Sequence, residues 1–178
     1  MEILKKILIA LGIIIAIPLI LALFVKKEYT VVRDITINKP KQEVFNYVKS
    51  LKNQRNFSTW SMMDPKMKQT FRGEDGTVGS VSAWESEMMG NGEQEIKKII
   101  EGERIDTELR FFGMFGSTSP GYFSTEAVSE TATKVTWAMN GHMSYPLNFM
   151  QLFMSMDDMI GKEFEKSLVN LKGILEKQ

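Results

Sequence analysis

Cysteine is absent from these 178 residues, histidine occurs once, and the formal net charge is zero. Without cysteine there is no disulfide, no thiolate zinc site and no cysteine nucleophile. That absence fits either side of a bacterial inner membrane, so it leaves the compartment open. The single histidine, in Asn140-Gly141-His142 just after the last strand-like run, has no serine or third group at a catalytic spacing. It also has no companion ligands for a metal. It reads as a solvent-facing loop residue, and no metal or other cofactor is expected. Internal repeats and low-complexity segments are missing as well.

Zero net charge hides an uneven distribution. Lys5, Lys6, Lys26 and Lys27 flank one apolar segment, as does Glu2. Setting them aside leaves 18 basic against 21 acidic residues from Glu28 onward, a net of −3. A mildly acidic domain has no field to draw in phosphate backbones, so nucleic acid is not expected as a partner.

What the sequence does have is a long apolar run. Residues 7–25 are 19 positions without a charge. As a helix they span about 28 Å, against a hydrocarbon core of ~30 Å. Gly12 and Pro18 would weaken a soluble helix but are common in membrane spans. The competing reading is a cleaved secretory signal, which needs a shorter apolar region and a small-x-small cleavage site. Here the run ends Leu21-Ala22-Leu23-Phe24-Val25, with bulky residues where small ones are required. The expectation is an uncleaved, single-pass transmembrane anchor over residues 1–27, followed by one domain over residues 28–178. Two lysines on each side give the positive-inside rule little to act on. The short N-terminal tail, with two lysines and a free amine, favours the N-terminus inside and the domain outside the cytoplasm. About 150 residues remain, enough for one domain with a substantial core, expected to be a monomer.

Residues 29–37 are rich in β-branched side chains, with Val31, Ile35 and Ile37 on one face, and read as a strand. Asn38-Lys39-Pro40 ends it, and Pro40 opens a helix in which Val44, Phe45, Val48 and Leu51 recur at helical spacing. Residues 54–65 show no regular face and read as a loop holding Phe57, Trp60 and Met62-Met63. Strand-like runs follow at residues 67–71, 78–87, 93–100, 105–111, 121–128 and 134–139. Glu74-Asp75-Gly76, Gly90-Asn91-Gly92 and Glu101-Gly102 supply the turns between them. With no helix between the runs, the pattern is an antiparallel meander. Residues 148–175 read as a long closing helix, with Phe149, Phe153, Met156, Ile160, Phe164, Leu171 and Leu175 in a stripe of about 100°. The class is α+β.

This order, with these residues, resembles the START-like helix-grip superfamily, and within it the SRPBCC or polyketide cyclase/dehydratase-like branch. The resemblance covers residues 29–177. Ile35-Thr36-Ile37-Asn38-Lys39-Pro40 with Val44 and Phe45 carries it first, then Asn56-Phe57-Ser58-Thr59-Trp60-Ser61. Gly76-Thr77-Val78-Gly79 followed by Trp84, and Gly161-Lys162-Glu163-Phe164-Glu165 with Leu168 and Leu171, complete it. Many relatives read Trp-Ser-Pro-Trp where this chain reads Trp60-Ser61-Met62-Met63, so no ligand preference tied to the second tryptophan carries over. The resemblance implies a curved antiparallel sheet wrapped around the long C-terminal helix, with an apolar cavity between them.

The acids are arranged for water. Glu85 and Glu87, and Glu93 and Glu95, alternate with their apolar neighbours, which puts each pair on the outer face of a strand. Acid–base chemistry of the glycosidase kind needs two carboxylates converging in one cleft, so no catalytic residue is assigned. Asp157 breaks the pattern. On an unbroken helix it lies about 40° from Phe153 on the apolar stripe, where a carboxylate is costly to bury unless paired. With a break near Ser155 it lies instead in a first turn, where the helix dipole favours acids.

Three tryptophans, 11 phenylalanines and 13 methionines suit a core with a permissive apolar pocket. The expected lining is Trp60, Trp84, Met88, Phe111, Trp137, Met139, Phe153, Met156 and Asp157. The expected function is a membrane-anchored domain that binds a lipid or other small hydrophobic ligand there. Two alternatives stand beside it: a cyclase- or dehydratase-like enzyme using Asp157 or His142, and a protein-interaction domain without a ligand.

Overall fold

The computed structural model of the chain describes residues 1–113 and 116–177. Helix α1, Glu2–Phe24, is long and apolar enough to cross a membrane, with a mean hydropathy of 3.1 over its most apolar window. Its side chains are exposed all round the axis apart from a few near the C-terminal end, where Ala22 is buried.

Strand β1, Glu28–Ile37, follows α1 after a three-residue connection. Pro40 stands at the N-cap of α2, Lys41–Lys49, which buries Val44, Phe45 and Val48 completely. Two short helices follow, α3, Leu51–Phe57, and α4, Thr59–Met63, where the sequence carried the first helix on to Leu51 and showed a loop from residue 54. Capping and tertiary bonds set them rather than periodicity. The Ser50 hydroxyl accepts from the Asn53 amide at 3.1 Å, and the Asp75 carboxylate accepts from the Leu51 amide at 2.8 Å.

The meander then runs β2, Lys68–Arg72; β3, Val81–Glu85; β4, Gly92–Ile100; β5, Arg104–Phe111; β6, Ser117–Ser129; and β7, Ala132–His142. Together with β1 these strands form one seven-stranded antiparallel sheet in the order β1-β7-β6-β5-β4-β3-β2. β1 and β2 lie at opposite edges, so the segment α2–α4 crosses the whole inner face between them. A bulge between Ile96 and Lys98 puts both Ile96 and Ile99 on that inner face, three positions apart.

The closing helix is not continuous. A 3-10 turn, Leu147–Leu152, is followed by a break and then by α5, Met156–Leu175. Ser155 caps α5, its hydroxyl accepting from the Asp158 amide at 3.1 Å. The apolar stripe of the sequence therefore holds only from α5 onward. Phe164, Leu168, Leu171 and Leu175 are buried against the sheet, whereas Phe153, ahead of the break, is 78% exposed. The main core joins α2, α3 and α5 to the inner face through Ile37, Phe45, Phe57, Ile105, Phe123 and Val135.

Candidate ligand cavity

The curved sheet and the helices laid across it do not close completely. Between β2–β5 and β7 on one side and α3, α4 and α5 on the other lies a cavity of about 230 Å³. That is many times the ~10–15 Å³ one water needs.

One wall is a run of aromatic rings. Trp137 stacks on Phe164 at 4.0 Å between ring centroids and on Phe123 at 4.7 Å. Trp60, from α4, stands edge-on to both Trp137 and Phe164, at 5.8 and 5.6 Å. The opposite wall is Trp84 edge-on to Phe111 at 5.8 Å. Trp84 reaches its place because residue 92 is a glycine. A Cβ there would overlap the indole ring and the Arg110 carbonyl.

Between the walls the inner face carries uncharged polar groups. Gln69, Ser82 and Gln94 lie side by side on β2, β3 and β4, and the Gln69 amide nitrogen donates to the Ser82 hydroxyl at 2.9 Å. The other half of that amide, Gln69 Oε1, is buried with no partner among the described residues. A buried acceptor of this kind costs free energy until a donor reaches it. Among the described lining residues the one charged side chain is Arg55.

Of the nine expected lining residues, Trp60, Trp84, Phe111, Trp137 and Met139 border the cavity. Met88 does not. β3 ends at Glu85, and the Ser86 hydroxyl takes bonds from the Met88 and Met89 amides while donating to Asp64 Oδ2 at 2.6 Å. That turn points Met88 outward, 72% exposed, and brings Met89 onto the lining instead. The bond from Ser86, with one from the Lys66 amide, holds the Asp64 carboxyl below its ordinary range. Phe153 and Met156 lie away from the cavity because the helix breaks between them.

Asp157 is also outside it. It occupies the first turn of α5 and accepts from Arg33 Nη1 at 2.8 Å. Arg33 bonds Glu165 as well, at 2.6 Å, and these two acids raise its already high pKa. Arg33 occupies an inward position of β1 opposite Trp137, and its guanidinium lies over Gly161. His142 is the last residue of β7 rather than a loop residue, and is exposed. The outer-face acids are less free than alternation alone suggests. Arg110 bridges Glu93 and Glu95 at 2.8 and 2.7 Å and also pairs with Glu108, and Arg72 holds Glu93 from β2, across β3.

Gln69, Ser82 and Gln94 were legible in one respect. Gln94 is the uncharged residue at the inward position between Glu93 and Glu95, and Gln69 takes the same position on β2. Arg33 carried a comparable signal, as a charge at an inward position between Val31 and Ile35.

No protein-family model and no curated protein sequence matches the chain. Solved structures do. A protein from Mesorhizobium loti aligns at a TM-score of 0.62 and 12% identity, over 84% of this chain and 98% of that one. Truncated norcoclaurine synthase from Thalictrum flavum aligns at 0.59 and 7%, over 85% and 95%. The Aha1 dimer from Colwellia psychrerythraea aligns at 0.56 and 12%, over 81% and 93%. At these identities the likeness is one of architecture, and it agrees with the curved sheet, the α2–α4 crossing and the long α5: the chain has a helix-grip fold.

Proposed function

We propose that the chain is a membrane-anchored binding module whose cavity takes one small apolar molecule, a lipid or similar compound, bearing an uncharged hydrogen-bond donor. The observation that carries this reading is the composition of the cavity. Aromatic and aliphatic walls reward burial of an apolar body at ~25 cal/mol per Å², and Gln69 Oε1 waits for a donor beside Ser82 and Gln94. A neutral patch with one charged neighbour favours a hydroxyl or amide over an ionised head group.

Anchoring through residues 7–25 is part of the same proposal, and the end of α1 supports it over cleavage. Asn148 is fully buried, and its amide donates to the Ala22 and Val25 carbonyls at 2.7 and 2.9 Å. Removing the chain up to the apolar run's end would take away both acceptors of that amide. The residues on which the enzyme alternative would rest, Asp157 and His142, stand outside the cavity.

Photolabelling tests the binding site. The full chain in liposomes is incubated with a diazirine-bearing fatty alcohol, irradiated, digested and mapped. Cross-links in the peptides carrying Trp60, Met89 or Leu109 are expected. Labelling confined to α1 would overturn the proposal.

A further inference from the structure

The connection between α1 and the domain is not a tether. Three residues separate Phe24 from Glu28, and their carbonyls are already in use. Asn148 holds Val25 at 2.9 Å, the Gln151 side chain donates to the Lys26 carbonyl at 2.9 Å, and the Met143 amide donates to the Lys27 carbonyl at 2.7 Å.

The segment that makes these bonds is apolar in its own right. Residues 143–156 contain no charged side chain. Leu152 is 50% and Phe153 78% exposed, with Tyr145, Met150 and Met154 also open to solvent. They stand next to the last turn of α1, where Phe24 is 85% exposed and Lys26-Lys27 follow at once. Large apolar side chains gathered this way on a soluble surface mark an interaction site. Here the site is continuous with the end of a membrane-length helix. Its depth is fixed by bonds to Ala22, Val25 and Lys26, which places it level with the boundary between acyl chains and head groups.

We infer that residues 145–154 form a second membrane contact, inserted into the same leaflet that α1 leaves. This rests on reading α1 as a membrane span. The domain then sits on the bilayer in one orientation, with the Glu28–His142 end of the sheet toward the lipid. The β6–β7 turn points away from it, a β1 length of about 30 Å further out.

The chain has no cysteine, so single-cysteine variants can each carry one environment-sensitive fluorophore. Phe153→Cys and Leu152→Cys probe the segment, Ile14→Cys the middle of α1, and Val128→Cys the distant end. All are placed in phosphatidylcholine–phosphatidylglycerol liposomes, with and without nitroxide-bearing lipids. The expected result is blue-shifted emission and strong nitroxide quenching at 153 and 152, as at 14, and neither at 128. If 14 is quenched while 153 and 152 behave like 128, the inference is wrong and the anchor reading survives. If 14 is not quenched, the anchor reading fails and takes the inference with it. Blue-shifted emission at 153 without lipid quenching, together with disulfide-linked dimers of Phe153→Cys, would make the segment a contact between copies and overturn the inference.

Discussion

Trp137 and Trp84 share an inward orientation but not a role. Trp137 is packed on both ring faces, by Phe123 and Phe164, and edge-on by Trp60 and Phe57. Trp137→Ala should cost ~3–5 kcal/mol, in the range of large-to-small core changes. Both border the cavity, but Trp84 has a single aromatic neighbour among the described residues, Phe111, so Trp84→Ala should cost clearly less. Denaturant titration of the two variants checks the order, and equal losses would mean that the cavity is closed around Trp84.

Arg33 and Gly161 form a second residue-level pair. An alanine at 161 gains ~1 kcal/mol of helix propensity, but its Cβ would displace the Arg33 guanidinium from Asp157 and Glu165. Partly exposed ion pairs are worth ~0–1 kcal/mol, so the two effects nearly cancel in the native background. In an Arg33→Ala background the same Gly161→Ala change should stabilise by ~1 kcal/mol. A double-mutant cycle measures this directly.

At the scale of elements, the outer face of β2–β5 is held by charge. Glu93 is kept below the usual carboxylate range by Arg72 first and Arg110 second, and Glu95 by Arg110 first and Lys97 second. A carboxylate whose pKa is lower folded than unfolded stabilises the fold above its unfolded value of ~4.3 and loses that contribution as pH falls through the folded value. Melting temperature should therefore drop on acidification below about pH 4.5. Arg110→Met should flatten that drop, and an unchanged slope in the variant would show that the ladder carries no net stability.

The elements also show what a sequence can reveal. Strands with strict alternation, such as β1 and β7, were legible, and so was α2 from its buried stripe and Pro40. α3 and α4 were not, because Ser50 and Asp75 define α3 across 25 residues of chain and Ser167, 108 residues on, accepts from the Thr59 amide at the start of α4. The break before α5 was visible only as one of two readings of Asp157. Ser155 decides it as a cap, and Ser155→Ala should cost ~1 kcal/mol, read by thermal melts. The cavity was legible on its aromatic walls, where tryptophans sit at inward positions of strands. It was not legible at Met88, where the strand ended before the pattern did.

At the scale of the molecule, the anchor, the apolar segment beside it and the cavity describe one object. On the proposed reading it is a helix-grip domain held close to a bilayer, with an internal space for one of the molecules a bilayer supplies. Full-length protein should stay with the membrane pellet through a carbonate wash. A mature chain beginning near residues 23–28 would instead establish a cleaved signal.

Occupancy of the cavity is the most direct test. Native mass spectrometry of the detergent-extracted full chain, beside a Leu109→Trp variant that fills the space between Trp84 and Trp137, reads it in one experiment. The wild type should carry a single non-covalent apolar adduct, lost in the variant while its circular dichroism spectrum is unchanged. A wild type that stays bare after exposure to a total lipid extract, or an adduct that persists when the cavity is filled, would contradict the proposed role.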